Sequence, residues 1–184
     1  MNGIESVVSA LGKLDAIERV TAIENIVAGM QLHGVRRIVA VGGIGCLQLT
    51  ESTRYQESPT FPRFFLKTSL AHWEVCRRLE SSGLDWTFVC PPDIRDGSAT
   101  GKYATVPTFL PPASSISTGD LAHCMMDAVE NRRLAAPLRA RLQARDQQRS
   151  HSVFKERCFA ILAFRKFAGE GAPRACIVKR RGAT

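Results

Sequence analysis

The sequence predicts an α/β fold, a partial doubly wound parallel sheet followed by a basic tail that is helical or disordered. Three observations carry the prediction. Short, largely apolar runs recur at residues 6–11, 37–41 and 86–90, and helical patterns lie between them. The excess of positive charge lies wholly beyond Asn131. Strands this short need no polar face when helices cover both sides of a parallel sheet. Short strand–helix–strand joins imply right-handed crossovers.

In chain order, residues 6–11 form the first strand, ended by Gly12. A helix over 16–33 places Ile17, Val20, Ile23, Ile26, Val27 and Met30 on one face. Gly34 stops it, because glycine takes a positive φ at little cost. The strand 37–41, RIVAV, runs directly into Gly42-Gly43-Ile44-Gly45. A second helix over 67–82 offers Leu70, Trp73, Cys76 and Leu79 to the core, and Gly83 ends it. The strand 86–90 stops at Pro91-Pro92, which cannot continue a ladder. The third helix begins near Ser117, Thr118, Gly119 and Asp120 and carries Leu121, Met125 and Val129. Ser117 or Thr118 suits its N-cap, where a hydroxyl oxygen accepts an orphan backbone N–H.

At 184 residues, 45% of them hydrophobic and 23% charged, the chain suffices for one domain with a real core. No apolar run approaches the roughly 18 residues of a membrane span. The first residues lack the basic region and apolar stretch of an export signal, so a cytoplasmic protein is expected. Cysteines at 46, 76, 90, 124, 158 and 176 include no C-x-x-C and no histidine at ligand spacing, so no metal site is expected. They read as reduced core filler. Net charge is +8 overall, yet residues 1–131 carry 11 basic and 14 acidic side chains and residues 132–184 carry 14 and 3. The basic average therefore hides two unlike segments, 1–131 and 132–184.

The ordered pieces VVSALG, HGVRRIVAVGG, SGLDWTFVCPPDI, TGKY and ISTGDLAHCMM carry a resemblance. Over about residues 4–131 the chain resembles the NAD(P)H-binding, NmrA-like group of atypical short-chain dehydrogenases/reductases, which includes flavin reductases of the biliverdin IXβ type. The resemblance implies a Rossmann-like sheet of which this chain holds the C-terminal half. The family's Gly-x-x-Gly-x-x-Gly turn would precede Met1, so an N-terminally truncated form with impaired NAD(P)H binding is expected.

The carboxyl edge of such a sheet is where doubly wound folds bind ligands. Three turns reach it. Ala10, Leu11 and Gly12 end the first strand, and the resemblance places them under the cofactor. Gly42 and Gly43 follow the second strand; they are either a cofactor floor or a tight exit from a buried strand. Pro91, Pro92, Asp93 and Ile94 follow the third, at the nicotinamide side in the relatives. No Tyr-x-x-x-Lys occurs, and the register of the resemblance puts Thr68 and His72 at its two positions. It puts Gly43 at the family's serine and Asp93 at the flavin reductases' histidine. Asp93 and His72 are the catalytic candidates, His72 because imidazole titrates near neutrality; a surface histidine beside Trp73 is the plainer reading.

Beyond Asn131, residues 132–149 form a basic helical pattern interrupted by Pro137. Residues 151–167 place Phe154, Cys158, Ile161 and Leu162 near one face with Lys155, Arg157, Arg165 and Lys166 opposite. That is a basic amphipathic helix, suited to an anionic membrane surface or a protein partner, or to covering a bare sheet face. No reader motif supports nucleic-acid binding. The tail is expected to be separable from residues 1–131. Two functions follow: an NAD(P)H-dependent oxidoreductase acting on a small molecule the sequence does not identify, or a non-catalytic regulatory or interaction module built on the same sheet.

Overall fold

The structure is a computed structural model that describes residues 4–12, 14–50, 52–106, 115–130 and 158–163. Strands β1 (Ser6–Ser9), β2 (Arg37–Val41) and β3 (Asp85–Cys90) are joined through helices α1 (Ala16–Leu32) and α2 (Leu66–Ser81). Three 3₁₀ turns, Ile44–Cys46, Tyr55–Glu57 and Arg63–Phe65, fill the long path from β2 to α2. After β3 come β4 (Asp93–Arg95), β5 (Tyr103–Val106), β6 (Ser115–Ser117), α3 (Thr118–Glu130) and β7 (Cys158–Ala163).

The three strands read from the sequence pair in parallel and in order, with Ser9 opposite Ala40 and Val41 opposite Val89. Their carboxyl ends therefore meet along one edge. Alternation along each strand sorts the core into two layers. Ile38, Ala40, Trp86, Phe88 and Cys90 pack with Ile23 and Met30 of α1 and Val75 and Leu79 of α2. Val39 and Val89 pack with Leu121, Cys124 and Met125 of α3. Helices thus cover both faces, as a doubly wound sheet requires. Arg37, almost fully buried, ties the sheet to α3: its guanidinium donates to Thr87 Oγ1 at 2.8 Å and to the Ala128 carbonyl at 2.7 Å. Cys46, Cys76, Cys90 and Cys124 are buried inside the core. Among the described residues no helix is long and apolar enough to cross a membrane.

Helix ends follow the local rules. Asp15 and Glu18 form a reciprocal capping box at the start of α1, each carboxylate accepting the other's backbone N–H. Gly34, at φ 70°, ends it. Ser117 Oγ accepts the N–H of Asp120, so Ser117 caps α3.

Two predicted core residues are exposed: Ile17 and Leu70. For Leu70 the cause is local. A Cβ on Gly45 would stand 2.0 Å from Ser69 Oγ, so α2 approaches that turn through its small Ser69. This rotation buries Ser69, Val75, Cys76 and Leu79 and turns Leu70 outward.

The larger correction concerns residues 158–163, expected within an amphipathic helix. They form β7, parallel to β3 with Phe88 opposite Cys158, and antiparallel to β5 with Tyr103 opposite Ala163. The sheet order is β1-β2-β3-β7-β5, while β4 and β6 form a separate parallel pair. CFAILA is a continuous apolar run of strand length, and pairing satisfies open edges of both β3 and β5. The main sheet is consequently mixed, and its hydrogen bonding crosses the composition boundary at residue 131. The remaining tail positions, including the basic pattern at 132–149, lie outside the described residues.

Candidate functional site

At the carboxyl edge the backbone comes first. The Gly42 N–H donates to the Val89 carbonyl at 2.7 Å, tying the turn after β2 to the end of β3. A Cβ on Gly42 would lie 2.2 Å from the Phe88 ring, so close packing of the two strand ends requires glycine. Pro91 and Pro92 are buried directly after β3.

His72 reaches this edge from α2. Its Cδ2 lies 3.1 Å from where a Gly43 Cβ would be, so the imidazole lies against the bare turn. His72 Nδ1 is enclosed and has no hydrogen-bond partner. Burial, and secondarily the Arg19 charge, lower the His72 pKa to about 4. The ring is therefore neutral at pH 7. Thr68, one turn earlier on α2, is exposed.

Arg19 was not singled out from the sequence. It sits on α1 four residues before the buried Ile23, and only 6% of its surface is exposed. Its guanidinium donates to the carbonyls of Leu11, Gly12 (2.9 Å) and Leu14 (3.2 Å), gathering the turn after β1 around one cation. A basic residue on the apolar stripe of α1 was the available signal.

Asp93 and Ile94 stand apart from this cluster. Both are exposed on β4, where Ile94 pairs with Ile116 in the register of β6. Asp93 Oδ2 accepts from Arg95 Nε at 2.9 Å. Asp93 and His72 share neither a hydrogen bond nor an ion pair. The structure thus joins Gly43 and His72, and it places Ala10, Leu11, Gly12, Gly42, Pro91 and Pro92 at the ends of neighbouring strands.

A second cluster, also unanticipated, secures the segment after β4. Asp120, buried in the first turn of α3, accepts from Thr100 N (2.7 Å), Thr100 Oγ1 (2.8 Å) and Gly101 N (2.8 Å). Burial raises its pKa, but these bonds with Ser117 outweigh that and leave it lowered. A Cβ on Gly119 would stand 2.1 Å from the Ala99 nitrogen, so the loop lies directly on the helix start.

The N-terminus of α1, where a phosphate would seek N–H groups, is occupied by the Asp15 and Glu18 carboxylates.

A family model described as NAD(P)H-binding matches residues 1–132. The "uncharacterized protein YwnB" of Bacillus subtilis is 32% identical over an alignment of 104 residues, covering 52% of this chain and 49% of that protein. The chain spans about half the length of that curated relative. A solved structure from Streptococcus pneumoniae, named a "putative NADH-flavin reductase", is 26% identical with a TM-score of 0.65, covering 89% of this chain and 73% of the other. A short-chain dehydrogenase/reductase (wide type) from Veillonella parvula, in complex with NADP, shares the fold at 13% identity and a TM-score of 0.55, covering 86% and 63%.

Proposed function

The chain belongs to the NAD(P)H-binding family, and from that premise we propose that it is an oxidoreductase-like domain meeting the nicotinamide end of the cofactor. When bound, NAD(P)H supplies a hydride. Ala10, Leu11, Gly12, Gly42, Gly43, Pro91 and Pro92 form the floor and wall for the ring, with Ile94 exposed beyond them on β4. His72 is the proton-handling group. Asp93, held by Arg95, is a second candidate next to the wall.

The observation that carries this reading is the seat of His72 on Gly43 at the shared end of the parallel strands. A neutral imidazole there can donate a hydrogen bond to a carbonyl oxygen and polarise it. Water is kept from Nδ1 by the packing of α2 on the turn.

Cofactor affinity in this chain is weak. Asp15 and Glu18 already accept backbone N–H groups at the start of α1, so that helix end offers no alternative seat for a diphosphate. The same cap favours a second reading, a non-catalytic module that keeps the sheet and has no diphosphate cradle among its described residues.

Titration with NADH or NADPH, followed by nicotinamide fluorescence, separates the possibilities. Saturation is expected only above roughly 1 mM, a binding free energy of about 4 kcal/mol. Micromolar saturation refutes weak binding, and no signal at any concentration favours the non-catalytic reading.

A further inference from the structure

The path from β2 to α2 has no assigned part, yet its last turn carries two large apolar rings in the open. Phe64 and Phe65 are 77% and 53% exposed, and their rings meet at a centroid distance of 4.1 Å and a tilt of 42°. The backbone beneath them is pinned. Phe61 is buried, meets Tyr55 edge-on at 5.1 Å and stands 2.9 Å from where a Gly45 Cβ would be. The Phe65 N–H donates to the Pro62 carbonyl at 3.0 Å.

Position along α2 decides what these rings face. Phe65, the N-cap residue, already has helical φ and ψ. It therefore shares a face with the residues four, seven, eleven and fourteen places on, Ser69, His72, Cys76 and Leu79. Ser69, Cys76 and Leu79 are buried, and His72 rests against the Gly43 turn. This is the face that α2 turns toward the sheet. Because β2 and β3 are parallel, α2 runs back against them and its first turn stands at the carboxyl edge. Gly43 already lies past the end of β2, and Phe65 stands about 10 Å farther along the helix axis than His72. The inward stripe of α2 thus overruns the sheet. Phe65 is half exposed because the sheet ends before reaching it.

We propose that Phe64 and Phe65 are the ring-binding wall of this site, and that its ligand is a flat aryl ketone or aldehyde. The rings of the ligand lie against Phe65 and its carbonyl oxygen points to His72. Aromatic faces favour a flat conjugated partner over a saturated one of the same skeleton. At the polar end, His72 Nδ1 is enclosed without a partner, which leaves Nε2 to meet the oxygen. Two fused rings bearing a carbonyl group have about the length of the interval from Phe65 to His72. That such a ligand is a substrate rests on the oxidoreductase reading; the wall and its preference for flat rings do not.

The test is an NMR titration of the full chain, without cofactor, with 2-acetylnaphthalene and with its saturated analogue 2-acetyldecahydronaphthalene. The Gly43 amide and the Phe64 and Phe65 ring protons are followed. The double variant F64L/F65L keeps apolar surface and loses the flat faces. L70A removes an exposed side chain from the outward face of the same helix. Circular dichroism verifies folding. Acetylnaphthalene is expected to shift both ends of the site saturably; the saturated ketone, and acetylnaphthalene on F64L/F65L, should bind about tenfold more weakly. L70A should match wild type. No saturable shift, equal affinity for the two ketones, undiminished binding by F64L/F65L or equal weakening by L70A overturns the proposal. Phe64 and Phe65 signals that move with protein concentration alone also overturn it, since the rings would then be a contact between two copies. The comparison of the two ketones on wild type decides if the double variant does not fold. Ketone binding without any NADH or NADPH binding would sink the oxidoreductase reading and leave the wall standing. Cofactor saturation without ketone binding would do the reverse.

Discussion

At Gly42 a single added methyl group would stand 2.2 Å from a fully buried phenyl ring. Gly42→Ala is therefore expected to lower stability by about 1–3 kcal/mol, the usual cost of overpacking, read as an earlier urea midpoint. Gly43→Ala meets the His72 ring at 3.1 Å, so it displaces the imidazole and spares the core. Asp120 gives a pH signature. Its folded pKa is lowered, so its stabilisation is full above the unfolded value near 3.9 and fades as pH falls through the folded value. Asp120→Asn should cost about 1.5–3 kcal/mol at pH 7, and the gap from wild type should shrink in thermal melts at progressively lower pH. At this scale the sequence was partly legible. The glycines stood out because a turn after a buried strand needs them. Arg19 and Asp120 did not, because what distinguishes them is burial, which a side chain's identity argues against.

Among elements, α1, α2, β2 and β3 were legible because long periodic or continuously apolar runs leave few alternatives. The strands β4 and β6 are three residues each and β5 four, too short for a period to register. The strand β7 was misread for a different reason: six apolar residues fit a helical face or a buried strand equally well, and only open neighbours decide. The start of α1 carries its own prediction. Asp15→Ala removes the capping acceptor for Glu18 N–H and should cost about 1 kcal/mol, seen as a lower urea midpoint with an unchanged slope.

For the whole molecule, the decisive fact is that β7 lies between β3 and β5. A chain ending at 131 leaves both strands unpaired on the β7 side; a chain ending at 163 does not. The longer fragment is expected to keep a cooperative melt, and the shorter to be cleaved rapidly by protease around residues 103–106. Equal resistance of the two would mean that β7 adds nothing to the sheet. The order of strands also sets a timetable on the ribosome. Residues 103–106 emerge well before residues 158–163, the strand that joins them to the sheet. Until then β3 exposes an edge, and nascent chains with open edges are prone to stray association. Synthesis rate through residues 107–157 should therefore influence how much of the protein accumulates in soluble form, and a chaperone that shields β3 during that interval should raise the yield.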